Sequence, residues 1–217
     1  MKTDNQLQQD VIAELKWEPA VHAARIGVEV KDGVVTLAGQ VDSYLEKWNA
    51  ECAAQRVAGV KATTIDLHVR IPSLSQRTDA DIATTVENML DWTSPLPAGS
   101  IKVMVEGGCV TLSGDVTWQY QRQAATDSVR SLMGVTSVSN QINLKPSVAT
   151  EAVKSDIEAA LMRTSIADAK KISVAVDGGD VTLSGIVHSW AERDTATNSV
   201  WGTPGVRNVI DVMTLAG

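Results

Sequence analysis

The stretch Val-Thr-Leu-Ala-Gly at Val35–Gly39 decides the fold, because it returns twice as Val-Thr-Leu-Ser-Gly, at Val110–Gly114 and Val181–Gly185. When the three final glycines are superposed, the surrounding sequence aligns without a gap. An internal repeat of this kind predicts one supersecondary unit built three times. Positions that the copies share therefore report the architecture, and positions that differ show where one copy could act alone. The aligned frames are Asp4–Val69, Asp79–Leu144 and Thr150–Leu215.

The repeat predicts three small domains joined by short linkers. The domains span 4–69, 79–144 and 150–215, and the linkers span 70–78 and 145–149. A unit of this size buries only about 60% of the surface that its unfolded chain exposes, so each domain is expected to be marginally stable alone.

Each unit is predicted to open with an amphipathic helix that is followed by a strand. Apolar residues four and eight positions apart lie on one helical face, and strict alternation is typical of a half-buried strand. The first copy has Leu7, Val11 and Leu15, then Ile26, Val28 and Val30; the second has Ile82, Val86 and Leu90, then Ile101, Val103 and Val105; the third has Val153, Ile157 and Leu161, then Ile172, Val174 and Val176.

A tight hairpin is predicted to lead into a second strand. Asp32-Gly33, Gly107-Gly108 and Gly178-Gly179 tolerate the positive φ of a two-residue turn. Strand two then places Val35, Leu37 and Val41, with their counterparts, toward the core. The repeated glycine after it indicates a bend or a close approach that a side chain would obstruct.

A second helix and a third strand are predicted to complete the unit. Ser43-x-x-Glu46 and Ser189-x-x-Glu192 read as capping boxes, and a Gly-Val step ends the helix. Because the helix crosses over, strands two and three are expected to be parallel. The predicted fold class is α+β: three tandem two-layer sandwich domains, each α-β-β-α-β, with a three-stranded mixed sheet covered by two helices on one face. The third strands are expected at about 60–69, 135–144 and 206–215.

The unit resembles the BON domain, a bacterial module. The resemblance is carried by the VTL(A/S)G strand, a basic residue and an alanine in helix two, and the Gly-Val step before a Val-x-Asn/Asp-x-hydrophobic strand. The first copy departs from the last pattern at Thr63 and Ile65. The resemblance implies an envelope-associated protein that binds phospholipid surfaces, or holds apolar clients in a chaperone-like way, under osmotic stress. It implies no catalytic residues and no cofactor.

Charge argues against a nucleic-acid partner. The net charge is −7, and each unit carries more acidic than basic residues. Nucleic-acid binding depends on neutralising phosphates with Lys and Arg, which this distribution does not favour. No enzyme motif occurs, and the histidines His22, His68 and His188 fall at three unrelated repeat positions, so we expect neither catalysis nor a metal site. The two cysteines, Cys52 and Cys109, form no metal-like pair.

Two groups at the start of helix two are the candidate partner-contacting residues. A shared basic position has two interpretations: its stem lies over the sheet edge with the head in water or paired to a carboxylate, or it contacts anionic headgroups. The neighbouring aromatics also have two interpretations: they contact a membrane interface or an apolar client, or they pack between domains. The basic residues are Lys47, Arg122 and Arg193; the aromatics are Tyr44, Trp48, Trp118, Tyr120 and Trp190. Trp17 and Trp92, which follow the first helices, are interpreted as local core closure.

Three functions remain open from the sequence. The first is a binding module for phospholipid surfaces or apolar clients in envelope or osmotic stress. The second is a soluble cytoplasmic scaffold for protein partners, and the third is a potassium-responsive module of the kind that one branch of BON-containing proteins implies. The N-terminus shows no apolar signal region and no stretch long enough to span a membrane, so the sequence as it stands predicts a cytoplasmic protein, or a periplasmic one if a leader was removed.

Overall fold

The chain is described by a computed structural model that covers residues 2–145, 154–163 and 172–216. Within these residues each repeat runs helix, strand, strand, helix, strand, as predicted. The first repeat contains α1 (Asp4–Trp17), β1 (Ile26–Lys31), β2 (Val34–Val41), α2 (Tyr44–Arg56) and β3 (Ala62–Val69). The second contains α3 (Asp79–Trp92), β4 (Ile101–Glu106), β5 (Cys109–Val116), α4 (Gln119–Arg130) and β6 (Ser137–Leu144). The third contains α5 (Lys154–Arg163), β7 (Ile172–Asp177), β8 (Asp180–Val187), α6 (Trp190–Trp201), β9 (Asn208–Asp211) and β10 (Thr214–Leu215).

The second strand of each repeat is the centre of its sheet. In the first repeat, β2 is antiparallel to β1 and parallel to β3, which confirms the predicted crossover. The second sheet has the corresponding order β4-β5-β6.

The third strand of the third repeat differs from the prediction of one continuous strand. It is divided into β9 and β10, and both pieces pair in parallel with β8. At the break, the Met213 backbone N–H donates to the Asp211 carboxylate at 2.9 Å, a local bond between a side chain and the backbone. In the second repeat, Ile142 N donates to Asn140 in the same way at 3.0 Å, and β6 stays continuous. The bond is therefore not sufficient by itself to divide the strand.

The predicted apolar stripes form the cores. The first-helix stripe, the inward side of the second strand and the alanines of the second helix are buried in the first repeat, and the second repeat repeats this set. Burial of this apolar surface is the main force that holds each two-layer unit together. The buried residues include Leu7, Val11, Leu15, Val35, Leu37, Val41, Ala50 and Ala54, and their counterparts Ile82, Val86, Leu90, Val110, Leu112, Val116, Ala125 and Val129.

An aspartate at the start of the first helix fastens the hairpin turn. The Asp4 carboxylate accepts the Asp32 N–H at 2.8 Å and the Gly33 N–H at 3.1 Å. In the second repeat, Asp79 accepts the Gly107 and Gly108 N–H groups at 2.8 and 2.9 Å. Hydrogen bonds to a charged acceptor stabilise more than neutral ones, so this clamp connects the helix to the far end of the sheet.

The chain forms two compact units. The first comprises Met1–Asp115 and Gln121–Asn143, and the second comprises Val116–Tyr120 and Leu144–Gly217. The first unit therefore holds the first two repeats, apart from the segment 116–120 and Leu144, which group with the third. Among the described helices, none combines the length and apolarity that a membrane crossing requires. The predicted linker beyond Lys145 and the stripe residue Val153 lie outside the described residues.

Candidate functional site

The basic residues of the second helices are engaged by the protein itself. Lys47 Nζ donates to the Leu67 carbonyl oxygen at 2.9 Å. Arg193 Nε donates to Asp211 Oδ2 at 2.6 Å, and both side chains are largely buried. Burial lowers the pKa of the Arg122 guanidinium below its ordinary value. Lys47 and Arg193 therefore lie over the third strand and stabilise the sheet edge, and their cationic groups already have partners within the domain.

Trp48 packs between two repeats of the first compact unit. The guanidinium carbon of Arg130 lies 3.9 Å from the centre of the Trp48 ring, a close cation–π contact. Arg130 also forms an ion pair with Asp127 at 2.9 Å. The contact joins α2 of the first repeat to α4 of the second, which agrees with the packing interpretation of this aromatic residue.

The other predicted aromatics differ in exposure. Tyr44 and Trp190 are half-buried, and the Arg193 guanidinium lies 5.1 Å from the centre of the Trp190 ring. Trp118 is 41% exposed and Tyr120 is 57% exposed. The structure thus brings Trp190 and Arg193 together, and leaves Trp118 and Tyr120 with much of their apolar surface in solvent.

Trp17 and Trp92, which we call the helix-one tryptophans, are the most exposed aromatic residues named above. The interpretation as core closure is wrong, because Trp17 is 82% exposed and Trp92 is 87% exposed. The physical reason lies in the helical period. Each tryptophan follows the last buried leucine, Leu15 or Leu90, by two residues, which rotates it about 200° around the helix and away from the core. The exposure could have been predicted from the spacing between each tryptophan and the buried stripe of its helix.

The predicted capping boxes are only half formed. The Ser43 hydroxyl accepts the Glu46 N–H at 3.1 Å, and Ser189 does the same for Glu192. The Glu46 carboxylate does not return to Ser43; it accepts the Asp42 N–H through Oε2 at 2.8 Å. Complete capping boxes occur at the first helices, between Thr3 and Gln6 and between Thr78 and Asp81. Neither of these two was predicted from the sequence.

Glu46 is also the centre of the one group of possible metal ligands in the described residues. His22, Asp42 and Glu46 bring three ligand atoms within 4.8 Å of one another. The sequence spacing gave His22 no carboxylate neighbour, but the fold places Nδ1 of His22 at 2.9 Å from Glu46 Oε1. Glu46 Oε1 also accepts the His22 N–H at 2.8 Å, and Asp42 is bound by Arg25 through both oxygens. These ligand atoms already have partners, so the group acts as a structural network that holds the loop after α1.

Comparison with known proteins gives one family throughout the chain. The model of the BON domain matches residues 3–71, 78–146 and 149–217. Osmotically-inducible protein Y of Escherichia coli (strain K12) is 30% identical over 139 residues, which cover 60% of this chain and 69% of that protein.

Two solved structures are similar at a lower level. The C-terminal domain of CdsD, a structural protein of the type III secretion system of Chlamydia trachomatis, is 15% identical, with full coverage of both chains and a TM-score of 0.26. The periplasmic domain of PrgH is 16% identical, with 89% of this chain and 96% of that chain covered and a TM-score of 0.24. Similarity at these TM-scores carries no argument about arrangement or function.

Proposed function

Because this chain belongs to the BON domain family, we propose that it is a non-catalytic module of the osmotic stress response that binds phospholipid membrane surfaces through exposed aromatic side chains. The relative named for osmotic induction supports the physiological setting. The helix-one tryptophans support the mode of binding.

The main support for the proposal is that an exposed tryptophan lies at the same position in two of the repeats. Trp17 and Trp92 are 82% and 87% exposed. A tryptophan ring is large and apolar with one polar N–H, which suits the boundary between water and hydrocarbon. Neither ring contributes to the core, so its surface is available for a partner.

Charge decides which membrane surface is favoured. The chain carries a net charge of −7, and Lys47 and Arg193 are held by the protein's own strands. An anionic bilayer attracts proteins through clusters of free Lys and Arg, whereas Lys47 and Arg193 are already paired and the net charge is negative. We therefore expect binding through apolar insertion, without a preference for anionic lipid.

We expect the double variant Trp17→Ala/Trp92→Ala to float with phospholipid vesicles much less than the unaltered chain does. Insertion of about 100 Å² of each ring contributes about 2.5 kcal/mol, or about 5 kcal/mol for both, so the variant should lower the partition coefficient by about three orders of magnitude. The fold should survive, since both rings are exposed. The matched control is Met104→Ala, which removes an exposed apolar side chain from a strand and should float like the unaltered chain. Equal flotation of the double variant and the unaltered chain would reject the proposal.

A second candidate function is the holding of apolar protein clients. Met89, Met104, Met133 and Met162 are all exposed. Methionine side chains adapt to irregular apolar surfaces and are common on promiscuous binding faces. Two results together would favour this candidate over membrane binding. The chain would suppress the heat aggregation of a test protein, and it would fail to float with vesicles.

A further inference from the structure

A small cavity lies beside the end of α3 in the second repeat. Its volume is about 220 Å³, and it is lined by the helix end and by the loop that leads to β4. Leu90, Leu96 and Ile101 supply apolar walls, and Glu87 and Asp91 supply two carboxylates. Sites for drug-sized ligands occupy about 300–1,000 Å³, so this cavity suits a smaller molecule.

The two charged residues that line the cavity, Glu87 and Asp91, are both acidic. Glu87 and Asp91 are one helical turn apart, and like charges at that spacing repel each other. They lie in the last two turns of α3, where the free carbonyl groups of the helix add partial negative charge. The helix carries no basic residue in its last turn. Within the described parts of the chain, neither carboxylate forms an ion pair.

The first and third repeats carry basic residues near the corresponding end of their first helix, and the second repeat does not. At the ungapped equivalents of Asp91 and Ser100, the first repeat carries Lys16 and Arg25. Arg25 binds the Asp42 carboxylate there at 2.8 Å. The third repeat ends its first helix with Arg163. Among the described residues, the second repeat thus differs from the other two: its first helix ends in carboxylates, with no basic residue in the last turn.

From this combination we infer that the α3 cavity binds a small organic cation, an alkylated ammonium group of the choline type. The carboxylates and the helix end attract its charge, and the leucine and isoleucine walls contact its methyl groups. A hydrated inorganic ion gains nothing from apolar walls, so the lining favours an organic cation. Such a group occurs both as a free molecule and as a lipid headgroup. The inference does not depend on membrane binding by the tryptophans, because free choline needs no bilayer.

The test is a titration of the full chain with choline chloride at constant ionic strength, followed by methyl NMR. We expect saturable shifts at Leu90, Leu96 and Ile101, with a Kd of about 1–10 mM. The neutral isostere 3,3-dimethylbutan-1-ol should bind at least about tenfold more weakly, since it keeps the shape and loses the charge.

The variant Glu87→Gln/Asp91→Asn should weaken choline binding about tenfold. The control Glu29→Gln/Glu106→Gln changes the net charge equally, at exposed strand carboxylates, and should bind choline like the unaltered chain. Equal binding of the neutral isostere, or equal weakening in both variants, would contradict the inference.

A second arm uses phosphatidylcholine vesicles. Shifts of the same methyl groups with free choline support a free ligand, and shifts that appear only with vesicles support a lipid headgroup. Absence of both overturns the inference. A chain that binds free choline but does not float with vesicles would keep the inference and reject the proposed function.

Discussion

Replacement of Gly114 by alanine is expected to lower the free energy of unfolding of the second domain by about 4 kcal/mol, which is exceptional for a single methyl group. Gly114 lies in β5 opposite Ile101, with a φ of +139°. A Cβ there would lie 2.1 Å from the Ser100 carbonyl oxygen and 3.1 Å from its carbon, so the backbone leading into β4 would have to move. A domain of this size has little stability to spare.

The matched control is Gly107→Ala in the same domain. Gly107 also has a positive φ, +56°, but a Cβ there meets no atom within 4 Å. It should cost only about 1–2 kcal/mol, the strain of a left-handed residue. Hydrogen exchange of second-domain peptides in the full chain distinguishes the two: protection should be nearly lost in Gly114→Ala and largely kept in Gly107→Ala. Similar small losses in both variants would mean that the close approach is not the reason for the repeated glycine.

Removal of the Glu46 carboxylate is expected to have the second largest effect. Glu46 is only 5% exposed, and it accepts the backbone N–H groups of His22 and Asp42, both at 2.8 Å. Glu46→Ala leaves both donors without an acceptor, at a cost of about 1–3 kcal/mol each, so we expect a loss of about 3 kcal/mol. Glu46→Gln keeps one acceptor oxygen and should cost about half as much. The measurement is urea unfolding of the full chain, with first-domain exchange as the local probe.

Glu29→Ala serves as the control for Glu46. Glu29 is an exposed strand carboxylate, and its replacement should change the stability by less than about 0.5 kcal/mol. Equal stability of Glu46→Ala and Glu29→Ala would show that the loop after α1 does not depend on the buried carboxylate. Gln121, which occupies the Glu46 position in the second repeat, donates its Nε2 to the Pro95 carbonyl oxygen at 2.9 Å, so the position holds the same loop with the opposite polarity.

The architecture could be predicted from the sequence because three copies solve the same packing problem. Val35, Leu37 and Val41 recur at fixed spacing, and period alone separates the core face of a strand from its solvent face. The close approach at Gly39 was predicted for the same reason, and a Cβ there would lie 2.2 Å from the Arg25 carbonyl oxygen.

The contacts that build the candidate site could not be predicted in the same way. Glu46 and His22 are 24 residues apart, and the Trp48 ring meets Arg130 from another repeat. Such contacts depend on how loops and domains pack, and local spacing does not encode this. The exposure of Trp17 and Trp92 could have been predicted, because both follow the last buried leucine of the helix by two residues. A large aromatic residue near a helix end often closes a core, but in these two repeats the helical rotation points it into solvent.

The most direct measurement of the central claim follows each tryptophan separately at a bilayer. The chain has six tryptophans, so labelling with 5-fluorotryptophan is expected to give six ¹⁹F signals, which single replacements assign. In phosphatidylcholine bilayers that contain spin-labelled lipid, we expect the Trp17 and Trp92 signals to broaden strongly, and the Trp48 signal, from a ring packed under Arg130, to stay sharp. Unchanged Trp17 and Trp92 signals, or a Trp48 signal that broadens first, would contradict membrane contact through the helix-one tryptophans.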